Sequence, residues 1–447
     1  MSDTIYALAS GTGTAGVAVI RVSGPAAGPS IEQLTGQAPP PPRMASLRRF
    51  RDPGGGDGGG NDIDEGITLW FPGPASFTGE NIAEFHVHGG VAVIEALISA
   101  LSVVDGCRLA EPGEFTRRAF ENGKLDLTSA EAVADLVAAE TVAQRRQALG
   151  QYDGALAALY DNWRTQLTTL LAHAETTIDF ADEDLPEDTY AKMEHNILYI
   201  RDIISQHIDD QHRGERIRSG FHVAIIGAPN VGKSSLLNRL AAREAAIVSE
   251  AAGTTRDVIE VHMHLGGYAV IVADTAGIRE AEGAVEAEGV RRARHSADEA
   301  DLRLVVFDAA ALPALDPFAL DYVDDHAIAV LNKTDIADTA LPAAIAGRPT
   351  CPVSAKTGDG LEALLAAITA QVQVRLAASE QPPLTRARHR EALVAGVAAL
   401  GRASTATLPE LAAEDIRIAV RSLGRITGRV DVEDVLDVIF HDFCIGK

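Results

Sequence analysis

The feature that most constrains this chain is a glycine-rich turn between an apolar run and a helical pattern. Residues 222–226 are mostly apolar and predict a buried strand, and the stretch from Gly227 to Ser234 then matches G-x-x-x-x-G-K-S. In this context the turn is typical of a phosphate-binding loop, because its backbone N–H groups and the helix N-terminus face phosphate oxygens. We expect Lys233 to bridge the terminal phosphates and the Ser234 hydroxyl to bind Mg²⁺. The sequence therefore predicts a nucleotide-binding protein.

Two later motifs predict that the base is guanine. Asn332, Lys333 and Asp335 form N-K-x-D directly after a predicted strand. The Asp335 carboxylate can accept hydrogen bonds from both the ring N–H and the exocyclic amine of guanine, whereas adenine has no such pair of donors. The second motif, Ser354-Ala355-Lys356, follows the last predicted strand and would place a backbone amide behind the base.

Two further segments are predicted to surround the phosphates and Mg²⁺. A predicted strand over residues 268–273 leads to Asp274, whose carboxylate can hold the Mg²⁺ shell through water, and to Gly277, whose amide can reach the γ-phosphate. Residues 253–256 supply hydroxyls for a loop that closes over Mg²⁺ when triphosphate binds. Each motif alone is weak, since an isolated N-K-x-D is more often a solvated turn. In this order and strand context, the motifs together predict GTP and Mg²⁺.

The group that orients the attacking water is less clear from the pattern. Ras-like enzymes carry a glutamine directly after the D-x-x-G stretch, but here that position is Ile278, which cannot orient water. A substitute is expected from the segment that follows. The candidates there are Arg279, Glu280, Glu282, Glu286 and Glu288. A monovalent cation near the phosphates, held by Asn230 and the loop before Thr254, would supply the missing positive charge.

Length and composition predict a multidomain protein. A chain of 447 residues is too long for one core. The net charge of −24 opposes nonspecific nucleic-acid binding, although it is compatible with a local basic patch. Cys107, Cys351 and Cys444 are too few and too scattered for a disulfide framework or a zinc site. No targeting segment or long apolar run is evident, so we expect a cytoplasmic protein.

The chain divides into four predicted segments. Residues 1–120 alternate strands and helices as an α+β domain with no nucleotide motif of their own, and residues 121–217 turn to long Ala/Leu-rich helical patterns. Residues 218–375 alternate strands and helices like a doubly wound, Ras-like α/β fold, and residues 376–447 return to helical patterns. The two helical segments are therefore expected to form one domain into which the GTPase domain is inserted.

Three short stretches, together with the GTPase motifs, carry a resemblance to a known family. Residues 71–80 read F-P-G-P-A-S-F-T-G-E, residues 123–132 read G-K-L-D-L-T-S-A-E-A, and residues 443–447 read F-C-I-G-K. Together they closely resemble the MnmE (TrmE) family of bacterial tRNA modification GTPases. The likeness covers essentially the whole chain, and the C-I-G-K end is its most specific part.

The resemblance implies a function and a set of partners. The family is a homodimer whose N-terminal domain binds a one-carbon folate, 5-formyl-tetrahydrofolate. With an FAD-containing partner, MnmG (GidA), it adds a carboxymethylaminomethyl or aminomethyl group at carbon 5 of the wobble uridine of certain tRNAs. Its GTPase domains pair across the nucleotide and hydrolyse GTP in a K⁺-dependent way.

The resemblance also assigns roles to residues. Glu286 matches the glutamate that orients the attacking water, and Cys444 matches a cysteine that the modification chemistry needs. The implied K⁺ ligands are Asn230, Ser249, Ala251 and Thr254, the implied Mg²⁺ ligands are Ser234 and Thr255, and the implied folate contacts are Arg21, Glu84, Lys124 and Lys447. With the motifs above, the predicted GTP-binding residues are Asn230, Val231, Gly232, Lys233, Ser234, Ser235, Ser249, Glu250, Ala251, Ala252, Gly253, Thr254, Thr255, Asp274, Thr275, Ala276, Gly277, Asn332, Lys333, Asp335, Ser354, Ala355 and Lys356.

Simpler interpretations of some residues stay open. Arg21, at a strand end, can be a surface charge, and Lys124 can cap a helix C-terminus. His86 and His88 alternate along a strand like a metal pair, but no third ligand is evident, so we interpret them as structural.

Two alternative functions also stay open. A regulatory GTPase that assembles ribosomal particles would carry the same GTPase motifs without folate chemistry, and a scaffold with vestigial nucleotide binding would show negligible hydrolysis even in K⁺ buffer. The N-terminal domain and the C-I-G-K motif favour tRNA modification over both.

Overall fold

The protein forms two compact units. The computed structural model describes residues 3–53, 61–179, 189–242, 260–274, 297–377, 381–430 and 432–441, together with Phe443, Ile445 and Gly446. The first unit holds residues 1–137, 150–201 and 392–447, and the second holds residues 138–149 and 202–391. The four segment boundaries given above stay a prediction. Among the helices described, none is long and apolar enough to cross a membrane.

The first unit contains a six-stranded sheet in the order β3-β4-β5-β2-β1-β6. Its strands are β1 Thr4–Leu8, β2 Ala15–Ser23, β3 Ser46–Arg51, β4 Asp62–Phe71, β5 Ile82–Gly89 and β6 Cys107–Leu109. Neighbouring strands run antiparallel except β1 and β6, which are parallel. Helices α1 (Ala27–Thr35) and α2 (Val91–Ser102) share a buried apolar core with the sheet, which includes Ile20, Phe85 and Leu97. This is the α+β fold that the sequence predicts.

Six helices follow the sheet along the chain. They are α3 Glu114–Glu121, α4 Leu127–Ala138, α5 Val142–Tyr152, α6 Ala155–Asp179, α7 Thr189–Ile208 and α8 Arg213–Ser219. The longest, α6, buries Trp163, Leu167, Leu170 and Ala174, which are spaced three or four residues apart. That spacing places them on one face of the helix, as expected for an amphipathic helix against a core.

The second unit contains a seven-stranded sheet in the order β12-β13-β11-β10-β7-β9-β8. Its strands are β7 Phe221–Ile226, β8 Glu260–Leu265, β9 Tyr268–Asp274, β10 Leu302–Asp308, β11 Ala327–Asn332, β12 Ala344–Ile345 and β13 Arg348–Pro352. The central strands from β13 to β9 are parallel and the edge strands β8 and β12 are antiparallel. Its helices include α9 Lys233–Ala241, α10 Pro317–Leu320 and α11 Leu361–Arg375. The predicted doubly wound α/β fold is confirmed.

Three more helices complete the described chain, namely α12 Ala387–Ala403, α13 Pro409–Thr427 and α14 Glu433–His441. Helix α13 packs along α6 in the first unit. It begins with a proline in its first turn and ends at Gly428, whose φ of 84° is the left-handed conformation that glycine adopts readily. Leu436, Phe440 and Phe443 form an apolar cluster with α4, so the end of the chain packs against the residues that follow the N-terminal sheet.

Candidate functional site

The phosphate-binding loop connects β7 to α9 and packs tightly against the strands beside it. A Cβ added at Gly227 would lie 2.4 Å from the carbonyl oxygen of Val306 in β10. One added at Gly232 would lie 2.3 Å from Nδ2 of Asn332, and Gly232 has a φ of 96°. Only glycine fits at these two positions, because any side chain would push the loop away from the sheet.

Lys233 opens α9 and reaches back into the loop. Its side chain is buried, and Nζ donates to the carbonyl oxygens of Gly227 and Ala228 at 2.8 Å each. The ammonium group therefore lies inside the curve of the loop, where the terminal phosphates of a nucleotide would sit. Ser234 follows in the first turn of α9. Asn230 is exposed with a φ of 61°, so both side chains reach solvent near the loop.

Asp274 is the last residue of β9, which pairs with β7 in parallel. In the register of the two strands, Asp274 lies opposite Ile225, just before the phosphate-binding loop. The carboxyl ends of parallel strands meet at one edge of a sheet, which is where ligands of doubly wound folds bind. The backbone of Asp274 therefore lies at that edge of the sheet, and the role of its carboxylate towards Mg²⁺ stays a prediction.

Asn332, at the end of β11, connects the two halves of the candidate site. Its side chain is only 1% exposed. Nδ2 donates to the carbonyl oxygen of Val231 at 2.8 Å, and Oδ1 accepts from the backbone N–H of Ala355 at 3.0 Å. The side chain thus fixes the phosphate-binding loop relative to the 354–356 segment. The sequence motif indicates Asn332 as a site residue but does not reveal this bracing role.

Asp335 lies in a short 3₁₀ turn, Thr334–Ile336, directly after β11. Its Oδ1 accepts a hydrogen bond from the Ser354 hydroxyl at 2.7 Å, and Lys356 Nζ lies 4.0 Å from Oδ2. The serine orients the carboxylate, which keeps enough acceptor capacity for two donors of a guanine ring. The structure therefore brings together the two motifs that the sequence predicts to bind the base.

Two contacts beside the base motifs escape the sequence analysis. Arg239 of α9 donates from Nε to the carbonyl oxygen of Ala355 at 3.0 Å and from Nη2 to that of Lys356 at 2.6 Å. Lys333 pairs with Asp308 at 2.7 Å. Arg239 fixes the 354–356 segment, but a lone arginine in a helix gives no sequence signal of such a contact.

Several predicted site residues lie outside the part of the chain that the structure describes. They are Ser249, Glu250, Ala251, Ala252, Gly253, Thr254, Thr255, Thr275, Ala276, Gly277, Glu286, Cys444 and Lys447. Their roles stay predictions. Val231 and Ala355 are buried, and Ser235 is exposed on α9.

A second candidate site lies on the N-terminal sheet, where Arg21 of β2 and Glu84 of β5 are opposite each other. Arg21 Nε and Nη2 both lie 3.0 Å from Glu84 Oε1. The guanidinium carbon is 5.5 Å from the ring centroid of Phe77 and 5.8 Å from that of Phe115. A carboxylate that accepts hydrogen bonds, a guanidinium group that donates them and the partly exposed ring of Phe77 suit a planar heteroaromatic ligand with N–H groups.

The loop between β4 and β5 brings Lys124 towards this second site. Lys124 Nζ donates to the carbonyl oxygen of Pro74 at 3.0 Å, and Phe77 of the same loop lies beside Arg21. His86 Nε2 lies 3.4 Å from Glu84 Oε2, and His88 binds Asp64 instead. Within the described residues, no group of three or more His, Cys, Asp or Glu side chains could hold a metal ion.

The end of the chain lies against the same N-terminal sheet. Ile445 forms an antiparallel bridge with Pro112, and Gly446 is buried with a φ of 97°. A Cβ on Gly446 would lie 2.1 Å from the carbonyl oxygen of Leu8, in the strand that pairs with β2. The C-terminal segment is therefore held one strand away from Arg21.

Comparison with known sequences gives two family matches. Residues 4–124 match the family described as "GTP-binding protein TrmE N-terminus". Residues 127–444 match the family described as "MnmE helical domain". The matches together span both units of the structure.

Curated relatives match over their full length. The chain is 56% identical to the tRNA modification GTPase MnmE of Paramagnetospirillum magneticum over 447 residues, which is all of both chains. It is 54% identical to the protein of that name from Parvibaculum lavamentivorans, again over all of both chains. It is 52% identical to that from Rhodospirillum rubrum, over all of this chain and 99% of the other.

Proposed function

The chain belongs to the MnmE family of tRNA modification GTPases, and we propose that its GTP hydrolysis drives the modification of the wobble uridine in certain tRNAs. The proposed product carries a carboxymethylaminomethyl or aminomethyl group at carbon 5 of that uridine. The single observation that carries this proposal is the match over 100% of both this chain and a curated relative, which spans the GTP site and the N-terminal sheet alike.

For GTP, the described residues suggest a division of labour. Lys233 and the backbone N–H groups at the start of α9 bind the phosphates. Asp335 accepts hydrogen bonds from the guanine ring, and Ser354 orients the Asp335 carboxylate. Ser234 and Thr255 would hold Mg²⁺, which neutralises charge on the phosphates when it is bound. Glu286 would position the attacking water in place of the glutamine of Ras-like enzymes.

K⁺ is the second cation in the proposal. Asn230, which has a left-handed backbone and an exposed side chain, would offer an oxygen beside the phosphates. The other proposed ligands are Ser249, Ala251 and Thr254. A cation bound there would add positive charge where negative charge develops during hydrolysis. The apolar side chain of Ile278 cannot supply such a charge. The GTPase domains of two copies are proposed to pair across the nucleotide in the homodimer.

The folate part of the proposal rests on the second candidate site. Glu84 would accept hydrogen bonds from the N–H groups of the pteridine ring of 5-formyl-tetrahydrofolate, beside the ring of Phe77. Arg21, Lys124 and Lys447 would bind the ligand's carbonyl and carboxylate oxygens. Cys444, two residues before the docked Gly446 in sequence, would act in the modification chemistry. The partner is an FAD-containing protein of the MnmG (GidA) type, and both are proposed to work in the cytoplasm.

Folate binding tests the part of the proposal that separates it from ribosome assembly. We expect the full chain to bind 5-formyl-tetrahydrofolate in equilibrium titrations, and Glu84→Gln to weaken binding at least about tenfold, because a charged acceptor of hydrogen bonds is lost. Glu65→Gln is the matched control, since Glu65 lies on the neighbouring strand and is paired with the exposed Arg49. Failure of the unchanged protein to bind would favour the ribosome-assembly alternative.

A further inference from the structure

The loop that joins β4 to β5, residues 72–81, forms one wall of the second candidate site. Phe77 of this loop is partly exposed, and its ring centroid lies 5.5 Å from the guanidinium carbon of Arg21. The same ring packs against the apolar cluster that contains Phe115. Because the loop contains neither helix nor strand, no regular pattern of backbone hydrogen bonds fixes the ring. Its position depends on the side chains that hold the loop.

Thr78, the residue after Phe77, is joined to strand β2 by a pair of buried hydroxyl groups. Its Oγ1 lies 2.7 Å from Oγ of Ser23, and both residues are fully buried. Ser23 has a single hydroxyl hydrogen, which it donates to Glu80 Oε2 at 2.7 Å, so the Thr78 hydroxyl donates to Ser23. Thr78 Oγ1 also accepts from the backbone N–H of Glu80 at 3.2 Å. The Thr78 hydroxyl is therefore used as a donor and as an acceptor.

Ser23 connects the loop to the strand that carries Arg21. The two residues are two positions apart on β2, so their side chains lie on the same face of the sheet. Arg21 is opposite Glu84 in the register of β2 and β5. Contact between Thr78 and Ser23 thus sets where Phe77 lies relative to the guanidinium and carboxylate groups of the site.

Helix α3 holds the same part of the loop from a second side. Asn122, the residue after α3, donates from Nδ2 to the carbonyl oxygen of Thr78 at 2.7 Å. Glu80 pairs with the buried Arg118 of α3 at 3.2 Å. The backbone and the side chains that follow Phe77 are therefore fixed by both β2 and α3.

We propose that Thr78 is a positioning residue of the second candidate site, because its hydroxyl holds the ring of Phe77 beside Arg21. The proposal rests on the proposed function, which makes this site the folate site, and adds a residue that acts on the pteridine through Phe77. Thr78 is fully buried, so it cannot contact the ligand itself. A wall that is fixed in advance does not have to be ordered when the ligand binds, which increases the affinity.

The test is equilibrium titration of the full chain with 5-formyl-tetrahydrofolate. Thr78→Val keeps the size of the side chain, and we expect it to weaken binding about tenfold, because Ser23 and the Glu80 N–H lose a buried partner. Thr78→Ser keeps the hydroxyl and should bind within about twofold of the unchanged protein. Thr68→Val is the matched control, since Thr68 of β4 is fully buried and its hydroxyl has no hydrogen-bond partner among the described residues.

Three further measurements separate positioning from a general loss of structure. The ring-only analogue 6-methyltetrahydropterin should lose the same factor of affinity in Thr78→Val as the full ligand does, because Phe77 faces the ring. GTP hydrolysis by Thr78→Val should be unchanged, because the GTP site lies in the other unit. Asn122→Ala removes the second tether from an exposed position and should weaken folate binding about threefold, even if Thr78→Val does not fold.

The inference is overturned if Thr78→Val binds the ligand as well as Thr68→Val does, or if Thr78→Ser binds as weakly as Thr78→Val. It is also overturned if Asn122→Ala binds like the unchanged protein, or if the ring-only analogue is unaffected while the full ligand is weakened. In all these cases the unchanged protein binds folate. If the unchanged protein does not bind it, the folate part of the proposed function fails, and the inference fails with it.

Discussion

Asn332 shows how a motif residue can act at a distance from the ligand. Its two hydrogen bonds join the phosphate-binding loop at Val231 to the base-side segment at Ala355, and the side chain is buried. A buried N–H or C=O group that loses its partner costs about 1–3 kcal/mol. The residue therefore sets the distance between the parts of the site that hold phosphate and base.

Removal of this brace should reduce both stability and nucleotide affinity. We expect Asn332→Ala to lower the free energy of unfolding by about 2 kcal/mol, because Val231 and Ala355 each lose a buried partner. GTP affinity should fall with it. The measurements are urea denaturation and GTP titration, with Asn238→Ala, an exposed site on α9, as the control. Equal behaviour of the two variants would show that Asn332 is not a brace.

Asp335 is the residue on which base selection depends. Asp335→Asn should weaken GTP binding about 100-fold, because two charge-assisted hydrogen bonds to guanine are lost. Xanthosine triphosphate, which has an oxygen in place of the exocyclic amine, should bind the variant better than GTP does. Competition titrations measure both effects, and Asp338→Asn, three residues later and exposed, is the control. Unchanged GTP affinity would remove the assignment of the base.

For single residues, the sequence predicts which side chains lie together in the site, but not the hydrogen bonds that connect them. Asp335 and Ser354 stand out because their motifs follow strands, and the structure places them 2.7 Å apart. Arg239 supports the same segment through two backbone carbonyl groups. It could not be predicted, since a contact between a helix and a distant loop depends on tertiary packing that no local pattern encodes.

Among the elements, the C-terminal segment packs closely against strand β1 at Gly446. Gly446 lies so close to Leu8 that a Cβ would be 2.1 Å from its carbonyl oxygen, and Gly113 approaches Phe440 in a similar way. Two glycines thus allow the end of the chain to pack closely on the N-terminal sheet. The short C-terminal motif predicts a role for this segment, but no periodicity in it reveals its packing partner.

A side chain at Gly446 should displace this segment. We expect Gly446→Ala to weaken binding of 5-formyl-tetrahydrofolate about tenfold, because the segment that carries the predicted folate contact Lys447 would no longer dock at Gly446, and to leave GTP hydrolysis unchanged. Gly401→Ala is the control, since nothing lies within 4 Å of a Cβ at that helical position. Normal folate affinity in Gly446→Ala would show that the docked segment does not contribute to the folate site.

Helix α3 is fixed to the sheet by a cluster of charges around Arg118. The buried guanidinium group binds Asp3 and Glu114 at 2.9 Å each and Glu80 at 3.2 Å. Hydrogen bonds from Arg108 hold the pKa of Asp3 below its ordinary value of 3.8. Burial raises the pKa of Glu114, but hydrogen bonds from Arg108, the Glu111 backbone and Arg118 outweigh it, so its pKa lies below 4.5.

These lowered pKa values predict a loss of stability in acid. A carboxyl group whose pKa is lower in the folded state stabilises the fold above its unfolded pKa, and this contribution is lost as the pH falls through the folded value. We expect Arg118→Met to be less stable at neutral pH but to lose less free energy of unfolding between about pH 5 and pH 3. Denaturation at several pH values measures this, and parallel losses in both proteins would contradict it.

Strand β3 marks the limit of prediction for the elements. Ser46–Arg51 contains three arginines, one of which, Arg48, is buried beside Phe50 and contacts the Gln37 carbonyl oxygen. A buried arginine conceals the alternation of apolar and polar residues on which strand prediction depends. The sequence pattern of β3 therefore does not indicate a strand, whereas the apolar alternation of β2 and β5 indicates strands clearly.

For the whole molecule, the sequence predicts the order of fold types along the chain. Strong apolar periods mark the α+β sheet, the helices and the doubly wound sheet, and the structure confirms each type. The sequence could not predict that Arg417 and Arg429 pair with α6, because the partners lie far apart along the chain.

The central claim is that GTP hydrolysis by this chain supports modification of the tRNA wobble uridine. The most direct measurement is nucleoside analysis of tRNA from cells that lack the protein and from the same cells supplied with the wild-type chain or with Asp335→Asn. The account predicts that the aminomethyl-type group at carbon 5 disappears without the protein, returns with the wild-type chain, and fails to return fully with the variant. Unchanged wobble uridines in cells that lack the protein would contradict it.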